Sequence, residues 1–268
     1  MTDKKEPVSL PDPRTFSIDI DFKQSPERVW QALTDPTEIS RWFSNNAEVE
    51  PTEGGQFEMT WDVEGWGFRT RVATWKPNQH LGLIEEKDHQ GQKVVLAMDY
   101  YLEGRNGGTT LRLVHSGFGR DEDWDQEFSG ISRGWPYELR VLRHYLDHHP
   151  DTPRHLRLVT HHTDLAPRDA FSRVFGPKGL AKNGGVHALS EGDSFRLEVG
   201  PQEVYAGKVF LVNPPRSWAG TLNGPHGGLL RFEMEADIVV LSLARWGGNA
   251  NEVNQFADVW QQRLAELL

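Results

Sequence analysis

TFSIDIDFKQSPERVWQALTDP, residues 15–36, changes its period in mid-stretch, and that change decides the fold. Phe16, Ile18, Ile20 and Phe22 alternate with Ser17, Asp19 and Asp21, the two-residue period of a half-buried strand. Ser25-Pro26-Glu27 then supplies a helix cap, a proline whose fixed φ suits the first helical turn, and an early acid. The helix presents Val29, Trp30 and Leu33 and stops near Asp35-Pro36; a second short helix ends in Trp42-Phe43.

Working outward, strand signals dominate up to Gly119. Gly55 to Val63 places Phe57, Met59 and Trp61 on one face, and Trp66 to Trp75 and His80 to Glu86 follow. Lys93 to Glu103 alternates Val94, Leu96, Met98, Tyr100 and Leu102, and Thr109 to His115 carries Leu111 and Leu113. Gly-Trp-Gly, Lys-Pro-Asn, Gln-Gly-Gln and Arg-Asn-Gly-Gly stand between the strands and have hairpin chemistry. Beyond Gly119 the period becomes helical. Ile131, Trp135, Leu139, Leu142 and Leu146 form an apolar stripe, with Asp121, Glu122, Asp123 and Asp125 near the positive helix start. The fold class is therefore α+β: a curved antiparallel sheet around a long C-terminal helix, each burying the other's apolar face.

The second half repeats this order. Leu156 to His162 reads as a strand, Ala166-Pro167 opens a helix with Phe171 and Val174, and Val253, Phe256, Trp260, Leu264 and Leu267 mark a terminal helix. Pro26 set on Pro167 brings Trp30 onto Phe171 and Leu33 onto Val174. Ala73 to Pro77 corresponds to Leu211 to Pro215, and Leu111-Arg112-Leu113 to Leu241-Ser242-Leu243. The expected organisation is a flexible lead over 1–14, a first domain over 15–149, a linker over 150–154, and a shorter second copy over 155–268.

Composition narrows the function. Of 268 residues, 29 are Lys or Arg and 39 are Asp or Glu, a net charge of −10. That balance argues against nucleic acid or an anionic membrane surface as partner, since both are gripped by clustered cations. The absence of cysteine removes disulfides, thiolate metal sites and cysteine nucleophiles, and permits a cytoplasmic address. No apolar run approaches membrane-spanning length. Gly-Gly pairs occur without a phosphate-loop context, so neither a nucleotide nor any other cofactor is expected.

The first half resembles the START-like (SRPBCC) helix-grip superfamily and is similar to the C-terminal domain of the heat-shock-protein-90 ATPase activator homologue family. Ser25 to Pro36, Arg41-Trp42-Phe43, Gly54 to Phe57, Thr110 to Phe118, Gly134-Trp135, Leu139, Leu142 and Tyr145-Leu146 carry the resemblance, over roughly residues 14–149. It implies a helix-grip fold with a cavity between sheet and helix. Function is left open by it, because the superfamily includes lipid carriers, cyclases, hydrolases, hormone receptors and co-chaperones.

Alternation puts an aromatic-rich set on the concave face. The candidate ligand-binding residues are Trp42, near the entrance, with Met59, Trp61, Phe68, Met98, Tyr100, Leu113, His115, Trp135 and Leu139. The plainer reading is that these side chains only fill a core. The favoured function is non-enzymatic binding of a small hydrophobic or aromatic molecule. A protein-interaction or co-chaperone-like role is the alternative, and a cyclase- or hydrolase-like enzyme the third. His115 is the one candidate for proton transfer, but no nucleophile stands beside it. His144, His148, His149, His155, His161 and His162 crowd the junction without a metalloprotease-type spacing, and no metal is expected there.

Overall fold

In the computed structural model, which describes residues 12–181, 185–200, 203–224, 227–235 and 237–268, the alternating stretch forms strand β1 (Arg14–Phe22). Most of the expected lead, residues 1–11, lies outside the described residues. Helix α1 (Pro26–Thr34) has its proline in the first turn and buries Val29, Trp30, Ala32 and Leu33. Asp35 ends α1 and caps α2 (Pro36–Ser40), its carboxylate accepting from the Glu38 amide at 3.0 Å. The second helix thus stops at Ser40, two residues before Trp42.

A meander follows: β2 (Asn46–Val49), β3 (Gln56–Thr60), β4 (Gly67–Lys76), β5 (His80–His89), β6 (Gln92–Arg105) and β7 (Gly108–Phe118). A 3₁₀ turn, Glu122–Trp124, leads into helix α3 (Asp125–His148). Every strand pairs antiparallel, in the order β1-β7-β6-β5-β4-β3-β2. The first strand lies beside the last, so α1 and α2 connect opposite edges of the sheet. The start of α3 is seated by Trp124, Phe128 and Ile131 against Val94, Leu96 and Phe118. Its later turns bury Trp135, Leu139, Leu142 and Tyr145. Pro136 lies inside α3 and has no N–H to offer the Ser132 carbonyl.

The chain divides between Asp151 and Thr152 into two compact units. The second contains β8 (Arg154–His162), α4 (Pro167–Phe175), β9 (Ser194–Glu198), β10 (Val204–Asn213), β11 (Ser217–Leu222), β12 (Leu229–Glu235), β13 (Ile238–Trp246) and α5 (Ala250–Leu267). Its sheet runs β8-β13-β12-β11-β10-β9, again with first strand beside last. Both copies also break register at a corresponding place: between Val72 and Thr74 on β4, and between Val209 and Leu211 on β10. The strands rejoin at Lys76↔His80 and Asn213↔Ser217, which sets Pro77 on Pro214. The alignment of Pro77 with Pro215 is therefore corrected by one residue.

The second core is filled by rings. Phe171, Phe175, Phe195, Trp218, Phe232, Phe256 and Trp260 are all buried within it. A Cβ at Gly220 would lie 2.3 Å from the Phe195 ring, so only glycine admits that ring.

The helices of the first unit are tied together by one buried charge. Glu38 is 2% exposed, and alone it would be costly. Arg28 Nη1 reaches its Oε2 at 2.7 Å, Arg41 Nη1 binds Oε1, and the Tyr145 hydroxyl donates to Oε2 at 2.9 Å. The Asp151 amide donates to the same hydroxyl at 3.1 Å. Burial opposes charge on Arg28 and Arg41, yet the bonds to Glu38 and Tyr145 outweigh it and hold both guanidinium groups above their ordinary range. Glu38→Ala leaves two half-buried cations with only the exposed Asp151 carboxylate, 3.5 and 3.6 Å away, and is expected to cost the first unit about 3 kcal/mol. Urea unfolding followed by tryptophan fluorescence checks this; a loss below about 1 kcal/mol, the worth of a surface ion pair, contradicts it.

Candidate functional site

The inner face is defined by register. Leu83 on β5 lies opposite Met98 on β6, and Met98 opposite His115 on β7; Leu81, Tyr100 and Leu113 form the adjoining row. Cross-strand partners share a face, and so do residues two apart on one strand. The face therefore continues along β5 through Glu85 and Lys87. Lys87 meets the start of α3 by binding both carboxylate oxygens of Glu127 at 2.6 Å.

Rings run from the interior of this face to the surface. Tyr100 meets Trp135 edge-on at 5.9 Å, Trp135 stacks on Phe43 at 5.7 Å, Phe43 meets Trp61 at 5.3 Å, and Trp61 meets Phe68 at 5.7 Å. Exposure rises along the series, from 4% at Tyr100 to 46% at Phe68. Trp66, at the tip of the same hairpin, is 37% exposed. Phe68 is thus not enclosed by the face, since its hairpin parts from the neighbouring strand beyond Arg71. Met59, Met98, Leu113, Trp135 and Leu139 are buried, and Trp61 and His115 are half-buried.

Trp42 occupies a different place from the entrance expected of it. It is buried, and its indole N–H donates to the Ala32 carbonyl at 2.8 Å, fastening the segment after α2 to α1. Its ring stacks on Phe43 at 5.0 Å. Phe43, missed as a site residue, is the one that reaches Trp61 and Trp135. The adjacent aromatic pair was visible in the sequence; which ring faced inward was not.

The polar groups on the face are few. The Tyr100 hydroxyl is buried and donates to Met98 Sδ at 3.4 Å, and burial holds its pKa well above the ordinary phenol range. Thr70 Oγ1 donates to the Phe57 carbonyl at 3.0 Å. Trp135 Nε1 donates to His115 Nδ1 at 3.3 Å, and burial pushes His115 down to about 4. His115 is therefore a neutral acceptor at pH 7 that fixes the Trp135 indole. The described residues place no nucleophile and orienting carboxylate with it in a catalytic set.

One break interrupts the sheet at this face. Pairing between β4 and β5 begins only at Arg71↔Ile84. Gly67 to Thr70 pair with β3 alone, and Glu85 to His89 with β6 alone. The two hairpins therefore part at Thr70 and Glu85, with Phe68 on one side and Glu85 on the other. Burial raises the Glu85 carboxyl above its ordinary range; Lys87 opposes that shift and Glu127 adds to it.

Two histidine groups lie apart from the ring series. His144 has ring centroids 4.9 Å from His148 and 5.1 Å from His149, and burial, reinforced by both neighbours, pushes it down to about 4. His89, Asp121 and Asp123 have donor atoms within 4.8 Å of one another, the spacing of a metal site. Hydrogen bonds already engage two of these groups: Trp124 Nε1 donates to His89 Nε2 at 3.1 Å, and Gln90 Nε2 to Asp123 at 2.7 Å.

Residues 23–147 match the family described as Activator of Hsp90 ATPase homolog 1-like protein. The match lies within the first unit, which is similar to that family of the START-like (SRPBCC) superfamily. Among solved structures, protein MLL2253 from Mesorhizobium loti is similar at 27% identity over 51% of this chain and 99% of its own, with a TM-score of 0.46. The Aha1 dimer from Colwellia psychrerythraea shows 21% identity over 50% and 97%, TM-score 0.45. The di-domain ARO/CYC BexL from the BE-7585A biosynthetic pathway shows 12% identity over 95% of both chains, TM-score 0.44. No curated protein matches the chain. Among the described residues no helix is long and apolar enough to cross a membrane.

The two depressed imidazoles generate a pH dependence with a definite sign. A histidine with an unfolded pKa near 6.5 and a folded value of about 4 contributes its full stability above about pH 6.5. That contribution falls as pH drops, because the unfolded chain binds the proton first, and the loss levels off below about pH 4. Thermal melts from pH 7 to pH 4 are expected to fall less steeply for His115→Gln than for the parent protein. Parallel profiles would show that His115 titrates normally.

Proposed function

We propose that the first unit binds a small hydrophobic or aromatic molecule on its inner face, and that it does so without catalysing a reaction. The observation that carries this reading is the ring series from buried Tyr100 through Trp135, Phe43 and Trp61 to exposed Phe68. A core needs no such continuity with solvent, whereas a ligand moving inward along it finds apolar surface at every step. The parting of the β3–β4 and β5–β6 hairpins beside Phe68 supports the same reading. The second unit, with its inner rings packed on one another, takes a scaffolding or interaction role in this scheme. The address is proposed to be cytoplasmic, in keeping with a sequence that has no cysteine.

A protein-partner role, in the manner of a co-chaperone, has one observation in its favour: Trp66 and Phe68 stand exposed at the same hairpin, and paired exposed rings suit a docking surface. Native mass spectrometry of the protein from its own host, before and after denaturation, separates the two. A small molecule released on denaturation is expected, with retention reduced at least about tenfold in Trp135→Ala and Met98→Ala. A protein adduct without a small molecule would favour the partner role.

A further inference from the structure

We infer that Glu85 is the polar recognition group of the inner face, and that the molecule bound there is an aromatic or hydrophobic amine carrying a positive charge. This rests on the binding role proposed above and names the ligand's chemical class.

The placement comes from register. Glu85 lies opposite Leu96 on β6, two residues along β5 from Leu83, and so belongs to the face that carries Leu83, Met98 and His115. It is also the first β5 residue beyond the last β4 partner, which puts it where the two hairpins part. The other polar groups on the face are engaged: Thr70 with Phe57, Tyr100 with Met98, and His115 with Trp135. The nearby cations are engaged as well. Lys87 binds Glu127, while Arg71 and Lys93 pair with Glu86 on the outer face. Among the described residues no hydrogen bond or ion pair is made to the Glu85 carboxylate.

Half-burial strips part of the water from the Glu85 carboxylate, and a ligand that brings a donor offsets that loss. A protonated amine does so best, because it supplies both the N–H and the opposite charge. The half-buried Trp61 ring suits the same ligand, since an indole face attracts a cation and its area buries an apolar body. An acid of the same shape would bring two carboxylates together on a poorly hydrated face.

Three naphthalenes of similar size serve as probes: 1-naphthylmethylamine, 1-naphthalenemethanol and 1-naphthaleneacetic acid. Each is titrated against the full chain by calorimetry, with the parent protein, Glu85→Gln and Glu85→Leu, and each variant is first checked by thermal melting. The parent is expected to bind the amine at least about tenfold more tightly than the alcohol, and the acid most weakly. Both variants should lose the preference for the amine while holding the alcohol within about twofold of the parent. Equal affinity of the parent for amine and alcohol, or a preference that survives in both variants, overturns the role of Glu85 and leaves the binding face standing. Failure of all three probes to bind the folded parent overturns the binding role itself, and this inference with it.

Discussion

The pairing of the first strand with the last governs everything else in each unit. Once β1 lies along β7, the chain must travel from one edge of the sheet to the other before the meander can begin, and α1 and α2 make that passage. The long helix then has one place to bury its stripe, the face on which the meander has set its apolar alternation. β8 along β13 imposes the same route on the second unit, with α4 as the passage. Glu38 secures the passage in the first unit by joining α1, α2 and the end of α3 through Arg28, Arg41 and Tyr145.

The two units spend their rings differently on this one frame. In the second, Phe175 touches both Trp218 and Phe232, and Phe195 fills the space that Gly220 leaves. These contacts close on themselves. In the first, the rings are drawn out in a line that ends in solvent, beside strands that have parted. On the reading proposed above, recognition falls to the first of two copies of one topology, the copy that carries Glu85 on its inner face.

Much of the frame was legible because it rests on period and punctuation. The alternation of Phe16 to Phe22, the Pro26 start, and the stripe from Ile131 to Leu146 each follow from burying one face of a regular element. Shared element order, more than shared identities, revealed the duplication, and the strand orders and matching bulges on β4 and β10 give it a physical form. What escaped notice was decided by tertiary position. β2 is four residues of polar, half-exposed edge with too little apolar pattern to be seen. Glu38 has the look of a surface helix residue until Arg28, Arg41 and Tyr145 surround it. Glu85 is hidden in a run of charges, Glu85 to Asp88, whose alternate members face inward although none is apolar. Trp42 and Phe43 were seen as a pair, yet the hydrogen bond from Trp42 to Ala32 determines which of them faces the site.

Pro136 gives α3 an unusual mechanical character. The bond that a bend would strain there, from residue 136 to the Ser132 carbonyl, is already missing. On one side of it, Trp124, Phe128 and Ile131 clasp the ends of β6 and β7; on the other, Tyr145 is locked to Glu38. The helix is a pair of levers anchored at their far ends and jointed beside Trp135. On the binding role proposed above, the wall of the site would yield at that joint without losing the hydrogen bond that Pro136 already lacks, and guests of different thickness would be accommodated at small elastic cost.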